Sequence, residues 1–479
     1  MSLIRRLHFY AGILVAPFLI VATISGGLYA IAPTLEQFVY RDQLHTSSTG
    51  EPAGVADQVR AATALRPDLQ LSAVRPAAES GDTTRVLFTD PTLGESERLA
   101  VFIDPVTLES TGQLVSYGSS AALPIRTWIS QLHRHLHLGE PGRLYSELAA
   151  SWLWVIALGG LVLWITRHRQ RRRAGHAARL LIPDRSVTGR TRNLSWHGAI
   201  GVWVVVGLVF LSATGLTWSR YAGENVTELR AALSWTTPEM RTSLTGADTG
   251  SSVHADHGGH TGHSSETPSD TTTPALTHLD DVLAVAAAQG VSDAVEATIP
   301  SAPGTAISVT ETRQPWQLSP DAIAIDPTTG RIVDESRFGD WPLAAQLSNW
   351  GIALHMGILF GLLNQIVLLA LAIALLALII RGYLMWWQRR PRRAGAIGVG
   401  RPPVRGTLRQ LPVPTQVAVV VIAVAIGWFL PLLGISLVAF LVIDVAIGQL
   451  GRLRAQADGR RNSTVRVPSE ETTTSTPTR

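Results

Sequence analysis

The stretch from Trp128 to Gly139, WISQLHRHLHLG, leads into an apolar segment that ends at Trp164, and the chain contains this arrangement twice. At a constant offset of 222 residues, the recurring identities are Trp128 with Trp350, His133 with His355, Gly139 with Gly361, Gly160 with Gly382, Trp164 with Trp386, and Asp104-Pro105 with Asp326-Pro327. At an offset of 189 residues, the recurring identities are His8 with His197, Gly12 with Gly201, and Gly26 with Gly215. The repetition predicts that the chain is a duplication of one unit.

The repeat also distinguishes among the three histidines of the quoted stretch. His133 falls on His355, whereas His135 and His137 fall on a glycine and a leucine of the second half. We therefore expect His133 to carry the function that the two halves share, and His137 is the alternative if the register is shifted.

The composition is typical of a polytopic membrane protein. Hydrophobic residues make up 46% of the 479 residues and charged residues only 16%. The absence of cysteine excludes thiolate metal sites, iron–sulfur clusters, disulfides and covalently attached haem. Any bound metal is left to His, Asp, Glu, Met or Tyr. The expected partner is a lipid membrane, and no nucleic acid is expected.

Hydropathy predicts a polytopic α-helical membrane protein, built as a duplicated unit of membrane helix, extracytoplasmic α+β domain and membrane helix. Four core helices are followed by a C-terminal two-helix hairpin. The predicted segments are span 1 (1–32), outer domain 1 (33–147), span 2 (148–166), a basic loop (167–196), span 3 (197–218), outer domain 2 (219–349) with an insertion (248–274), span 4 (350–387), a basic linker (388–413), the hairpin (414–450) and a disordered tail (451–479).

Local patterns assign secondary structure within the two outer domains. Residues 55–65 and 277–289 are helical in pattern. Alternation predicts strands over residues 85–89, 99–104, 306–310 and 322–326.

Arginine clusters predict the orientation in the membrane. One cluster runs from Arg167 through Arg173 to Arg192, between spans 2 and 3, and another occupies residues 389–393 after span 4. By the positive-inside rule both loops are cytoplasmic. We therefore predict a protein of the cytoplasmic (inner) membrane with both termini inside and both long segments outside.

Four repeated histidines form two pairs on this topology. His8 and His197 lie at the cytoplasmic ends of spans 1 and 3, while His133 and His355 lie at the outer ends of spans 2 and 4. Two neutral imidazoles from facing helices can supply both axial ligands of a six-coordinate haem. The pairs therefore predict two bis-His haem b groups.

Glycines near these histidines fit the same interpretation. Gly12 and Gly201 follow His8 and His197 by one helical turn, where they leave room for a flat porphyrin. We expect a related role for the glycine six residues after each outer histidine. The alternative is ordinary: interfacial histidines are often solvated, and glycines in membrane helices often serve close packing.

A separate histidine cluster lies in the insertion of outer domain 2. It has the spacing HxxHxxHxxH and comprises His254, His257, His260 and His263. Such spacing suits transient capture of a divalent metal, and the equal alternative is a polar insertion of biased composition.

Four segments resemble the core helices of the PepSY-associated transmembrane family. They are LHFYAGILVAPFLIVATISGGLYA (7–30), LHRHLHLGEPGRLYSELAASWLWVIALGGLVLW (132–164), WHGAIGVWVVVGLVFLSATGLTW (196–218) and LHMGILFGLLNQIVLLALAIALLALIIRGYLMWW (354–387). The resemblance implies PepSY-type outer domains and an iron-regulated inner-membrane protein, of the kind that acts as a b-haem ferric-siderophore reductase. It also implies His8, His197, His133 and His355 as haem ligands.

The expected function is an oxidoreductase that carries electrons across the membrane. A cytoplasmic donor, such as a flavin or an NAD(P)H-linked reductase, would supply electrons to reduce a ferric siderophore or another ferric chelate outside. Residues that could line the chelate site are Trp128, Trp316, Trp341, Trp350, Arg126 and Arg313. Two alternatives remain: a non-redox protein that captures copper or zinc, and a regulatory module that binds a protease or a peptide.

Overall fold

A computed structural model describes residues 2–175, 179–244, 272–389 and 412–463. The helices of the first half are α1 (Ser2–Leu14), α2 (Ala16–Ala30), α3 (Ala32–Val39), α4 (Arg41–Leu44), α5 (Val55–Leu65), α6 (Pro124–His135) and α7 (Glu140–Arg173). The later helices are α8 (Gly189–Leu216), α9 (Tyr221–Ala232), α10 (Thr272–Thr277), α11 (Leu279–Ala288), α12 (Leu343–His355), α13 (Gly361–Trp387), α14 (Val413–Phe429) and α15 (Pro431–Ser463), with a 3-10 turn at Phe338–Asp340.

The strands are β1 (Gln70–Arg75), β2 (Thr84–Thr89), β3 (Glu97–Ile103), β4 (Ser110–Tyr117), β5 (Val295–Thr298), β6 (Ile307–Glu311), β7 (Ala322–Ile325) and β8 (Ile332–Ser336). The patterns had predicted α5, α11 and strands β2, β3, β6 and β7, and the structure confirms these elements. Strands β1, β4, β5 and β8 were not predicted, because their apolar alternation is short or interrupted.

Several helices are long and apolar enough to cross a membrane. Within the described residues these are α7, α8, α13 and the 20-residue apolar part of α15, and the bent pair α1–α2 is a fifth candidate. Helix α14 is apolar but spans only 17 residues. The chain is therefore a multi-pass membrane protein.

The first span is bent by 61° between α1 and α2. Pro17 lies in the first turn of α2 and has no backbone N–H to donate to the carbonyl of Ile13, four residues earlier. The hydroxyl of Tyr383 on α13 donates to that carbonyl at 3.1 Å. The proline thus explains the bend, and a neighbouring helix satisfies the carbonyl that the proline leaves free.

The predicted fourth span, 350–387, is not one helix in the structure. Helix α12 ends at His355, and α13 begins at Gly361. Gly357 and Gly361 have φ angles of +75° and +54°, a left-handed conformation that ends a helix. His355 consequently lies on a separate short helix that precedes the span-length helix α13.

Four membrane helices form a bundle in residues 1–410. Helix α8 packs against α7 and α13, and α2 packs against α13 and α7. We call the end of the bundle next to the strands the sheet end, and the end where α7 finishes in Arg171, Arg172 and Arg173 the arginine end.

The eight strands form one antiparallel sheet in the order β4-β3-β2-β1-β5-β6-β7-β8. Strands from the two long segments meet where β1 pairs with β5, with Ala73 opposite Thr298 and Val74 opposite Ala297. Helices α5 and α11 contribute to one continuous apolar core that includes Val59 and Leu279 with side chains from seven of the strands. The strands that had been predicted in two separate outer domains therefore share one sheet and one core.

Residues 411–479 form a second compact unit. The predicted hairpin is present as α14 and α15, which are separated at Leu430, immediately before Pro431. Gly427 and Gly434 face each other so closely that a Cβ on Gly434 would lie 2.6 Å from the carbonyl oxygen of Gly427. Helix α15 continues beyond the predicted hairpin end at 450 as far as Ser463, and residues 464–479 of the predicted tail lie outside the described residues.

Candidate functional site

His8 and His197 face each other at the arginine end of the bundle, and we call them the first histidine pair. Their ring centroids are 6.3 Å apart, and the ring planes are inclined by 79°. Nδ1 of His8 lies 3.0 Å from the carbonyl oxygen of Ile156 on α7. Nδ1 of His197 lies 3.0 Å from the carbonyl oxygen of Leu378 on α13. Each ring is therefore held by a neighbouring membrane helix.

His133 and His355 face each other at the sheet end, and we call them the second histidine pair. Their ring centroids are 6.5 Å apart. Nδ1 of His133 is 3.0 Å from the hydroxyl of Ser25 on α2, and Nδ1 of His355 is 2.6 Å from the hydroxyl of Thr214 on α8. The same ring atom is engaged in all four histidines.

A hydrogen bond at Nδ1 leaves Nε2 as the remaining nitrogen of each ring for a metal. In the first pair, where the partners are carbonyl oxygens, Nδ1 must carry the proton, so Nε2 presents a lone pair. In the second pair the hydroxyl partners can either donate or accept. A second hydrogen bond that orients the ring is the usual support of a metal-binding histidine.

The spacing within each pair fits one metal ion between two imidazoles. With a metal–nitrogen distance of about 2.0–2.1 Å, two imidazole centroids on opposite sides of one ion lie roughly 6 Å apart. The observed separations are 6.3 Å and 6.5 Å. Within the described part of the chain, no group of three or more His, Asp or Glu side chains could hold a metal ion. Two-histidine ligation therefore suits a metal whose other ligands come from a cofactor, as in haem.

The hydrogen-bond partners obey the same offsets as the histidines. Ile156 and Leu378 are 222 positions apart, the separation of His133 from His355. Ser25 and Thr214 are 189 positions apart, the separation of His8 from His197. The internal repeat thus extends from the ligand candidates to the groups that orient them.

Glycines make room for the imidazole rings. A Cβ on Gly160 would lie 2.8 Å from Cε1 of His8, and a Cβ on Gly26 would lie 2.9 Å from Cε1 of His133. In the second half, the corresponding distances are 3.9 Å from Gly382 to His197 and 3.6 Å from Gly215 to His355. The repeat had matched these glycines, but it did not predict their contact with the rings.

Gly12 and Gly201 have a different environment. A Cβ on Gly12 would meet nothing within 4 Å, and a Cβ on Gly201 would meet only Leu378, at 3.9 Å. Open space beside both glycines is compatible with the flat group for which they were predicted to leave room. Gly139 and Gly361, in contrast, have positive φ angles at the starts of α7 and α13, so their role there is a backbone one.

His135 and His137 lie apart from the second pair. Nε2 of His137 is 3.1 Å from the carbonyl oxygen of Trp128, and the two rings stack with centroids 4.9 Å apart. The structure brings His133, and not His137, next to His355. Leu136 and His137 have φ angles of +55° and +54°, which turn the chain away from α6 after His135.

Helix α6 is anchored where it approaches the sheet. The carboxylate of Glu36 accepts a hydrogen bond of 2.6 Å from the backbone N–H of Leu123, and it lies 3.6 Å from the guanidinium of Arg126. Arg126 is only 6% exposed, and within the described part of the chain its Nε and Nη2 atoms have no hydrogen-bond partner. This buried ion pair fixes the start of the helix that carries His133 and leaves two donors available.

The aromatic and arginine residues predicted to line a chelate site are not gathered together. Trp341 is buried and packs with Phe338. The indole N–H of Trp350 donates to the carbonyl of Leu318. Trp128 and Trp316 are 54% and 64% exposed.

Arg313 approaches the hydroxyl of Ser119, with 3.3 Å between the donor nitrogen and the hydroxyl oxygen. The cluster His254, His257, His260 and His263 lies outside the described residues.

The fold and these pairs define a multi-pass membrane protein with histidines matched across an internal repeat. The family model of the PepSY-associated TM region matches residues 5–389, and the chain belongs to this family. The resemblance drawn from the core helices is thereby confirmed, and the family is one of membrane proteins of the iron-regulated type. Comparison with curated proteins gives no match.

Proposed function

We propose that this protein is a di-haem b electron-transfer protein that reduces a ferric chelate, such as a ferric siderophore, on the sheet side of the membrane. Its electrons come from a donor on the arginine side, which we assign to the cytoplasm from the positive-inside rule. The observation that carries the proposal is the two facing histidine pairs, at 6.3 Å and 6.5 Å, with Nδ1 of every ring engaged. The shared offsets support descent from a duplicated unit.

The chain's own residues would position the cofactors. His8 and His197 would hold one haem, His133 and His355 the other, and their Nδ1 partners would orient the rings. The unpartnered donors of Arg126, two helical turns before His133, suit a haem carboxylate. Bound haem supplies a one-electron iron couple, and the protein sets its potential and its surroundings.

Reduction explains why iron would be released at the sheet side. Ferric iron prefers hard oxygen ligands, and ferrous iron is softer and binds them less strongly. Release therefore needs no chemistry on the chelating molecule.

A haem assay tests the proposal. Purified protein should contain two haem b per chain by pyridine haemochrome. His197→Ala and His355→Ala should each remove one haem, whereas His135→Ala, the matched control, should keep both. A colourless protein after haem-replete expression would overturn the proposal.

A further inference from the structure

A cleft opens at the arginine end, beside the first histidine pair. It encloses about 440 Å³, part of which is open to solvent. Its walls come from the last turns of α7, the segment from Arg179 to Val187, and the first turns of α8. The lining residues that matter here are Trp164, Arg167, His168, Arg171, Arg179 and Ser195.

The cleft is strongly basic. Three arginines line it, and Asp184 is the acidic residue among the lining side chains. The carboxylate of Asp184 accepts hydrogen bonds from the backbone N–H and the hydroxyl of Ser186. Within the described residues, none of the three arginines has a carboxylate within 4 Å. An anion would therefore find guanidinium groups that no carboxylate has neutralised.

Basic residues are expected at the cytoplasmic ends of membrane helices, so their charge alone does not define a site. Two further observations do. Nδ1 of His168 is buried in the cleft wall without a hydrogen-bond partner in the described part of the chain. The arginines also come from separate segments, α7 and the loop that follows it, and converge on one concave surface.

Trp164 connects the cleft to the first histidine pair. Its indole N–H donates to the carbonyl of Leu180 at 2.9 Å, which fixes the ring. The ring lies directly over Gly198, the residue after His197, where a Cβ would approach it to 2.3 Å. One turn earlier on the same helix, Gly160 contacts the ring of His8. A molecule in the cleft is therefore separated from the first pair by a single aromatic side chain.

We propose that this cleft binds the phosphate-bearing electron donor, a reduced flavin mononucleotide. The inference rests on the proposed function, because it names the donor for the first haem. Guanidinium groups bind phosphate through paired, charge-assisted hydrogen bonds, and the indole of Trp164 offers an aromatic surface to a flavin ring. Complete oxidation of the reduced flavin releases two electrons and two protons. The electrons leave singly to ferric haem, and the protons go to water on the same side.

Flavin fluorescence titration tests the site without relying on electron transfer. The protein is placed in nanodiscs of zwitterionic lipid and titrated with oxidised flavin mononucleotide or with riboflavin, which lacks the phosphate. We expect the mononucleotide to bind at least about tenfold more tightly than riboflavin, since each charge-assisted hydrogen bond contributes about 1.5–3 kcal/mol. Arg171→Gln and Arg179→Gln should each reduce this preference to less than about threefold.

Arg172→Gln is the matched control, because Arg172 neighbours Arg171 but does not line the cleft. It should keep the full preference for the phosphate. Equal affinities for the two flavins, or an equal loss in Arg172→Gln and Arg171→Gln, would overturn the proposal. Displacement of the flavin by phosphatidylglycerol would assign the cleft to a lipid headgroup, and tighter binding of NADPH would overturn the flavin assignment.

Haem content is measured on the same samples, so the two proposals fail separately. Arg171→Gln that retains both haems but loses flavin preference supports the cleft and shows that the variant is folded. Haem-free protein that still selects the mononucleotide would contradict the electron-transfer function and not the binding site.

Discussion

At the scale of single residues, the histidines are defined by what surrounds them as much as by their own chemistry. Two glycines, Gly26 and Gly160, would bring a Cβ to within 3 Å of an imidazole ring. A real Cβ almost never approaches that closely, so the ring would have to move. Since its Nδ1 is tied to another helix, such a move would cost the hydrogen bond as well.

Gly160→Ala should therefore disturb the first haem. The added methyl would lie 2.8 Å from Cε1 of His8, whereas the same change at the neighbouring Gly159 would meet His8 atoms no closer than 3.9 Å. We expect loss or a changed low-spin spectrum of one haem in Gly160→Ala, and an unchanged spectrum in Gly159→Ala. Gly382→Ala, at the repeat position, should also be tolerated because its nearest ring atom is 3.9 Å away. Low-temperature absorption spectra distinguish the variants, and equal effects at 160 and 382 would contradict the packing argument.

At the scale of elements, the junction between β1 and β5 joins the two halves of the sheet. Glu296 on β5 lies between two arginines, at 2.6 Å from Arg75 of β1 and 2.9 Å from Arg98 of β3. Burial alone would raise the pKa of Glu296, but the charges and hydrogen bonds of Arg75 and Arg98 outweigh it and lower the pKa from 4.5 to about 2. The ion pairs therefore tie three strands together across the junction.

Glu296→Gln should destabilise the sheet. Two largely buried guanidinium groups would lose their carboxylate, at a cost on the order of 3 kcal/mol in the free energy of unfolding at neutral pH. Because the folded-state pKa is depressed, the stabilisation by Glu296 is complete above pH 4.5 and is lost as the pH falls towards 2.

The difference between wild type and Glu296→Gln should therefore shrink between pH 4.5 and pH 2, as followed by thermal unfolding in near-ultraviolet circular dichroism. Glu335→Gln serves as the control, because Glu335 pairs with Arg337 at a half-exposed site and such pairs contribute less than about 1 kcal/mol. A pH-independent difference would show that the carboxylate charge of Glu296 is not what stabilises the junction.

At the scale of the whole molecule, the two histidine pairs lie at opposite ends of one helical bundle. On α8, His197 of the first pair and Thr214, which contacts the second, are 17 residues apart. At 1.5 Å per residue this is roughly 25 Å, most of the thickness of a membrane hydrocarbon core. The proposed electron transfer would thus be directional and would need both pairs.

Liposomes with reductant enclosed on the arginine side test this requirement. Wild-type protein should reduce an impermeant ferric chelate on the sheet side. His8→Ala should abolish that reduction yet leave the second haem reducible by dithionite added to the sheet side. His355→Ala should allow reduction of the first haem but block reduction of the chelate. Wild-type rates in His8→Ala would exclude the first pair as an obligatory relay.

The sequence by itself determined the membrane helices, the repeat and the four matched histidines, because hydropathy and spacing are properties of the chain alone. It also singled out His133 over His137, since only His133 has a counterpart in the second half. Only the tertiary structure decided how the rings are held. Two of their partners are backbone carbonyls, which every residue possesses and no motif reveals. The tertiary structure also decided that α12 separates from α13 and that β1 meets β5, because such breaks and pairings depend on backbone geometry and on contacts between residues far apart in the chain.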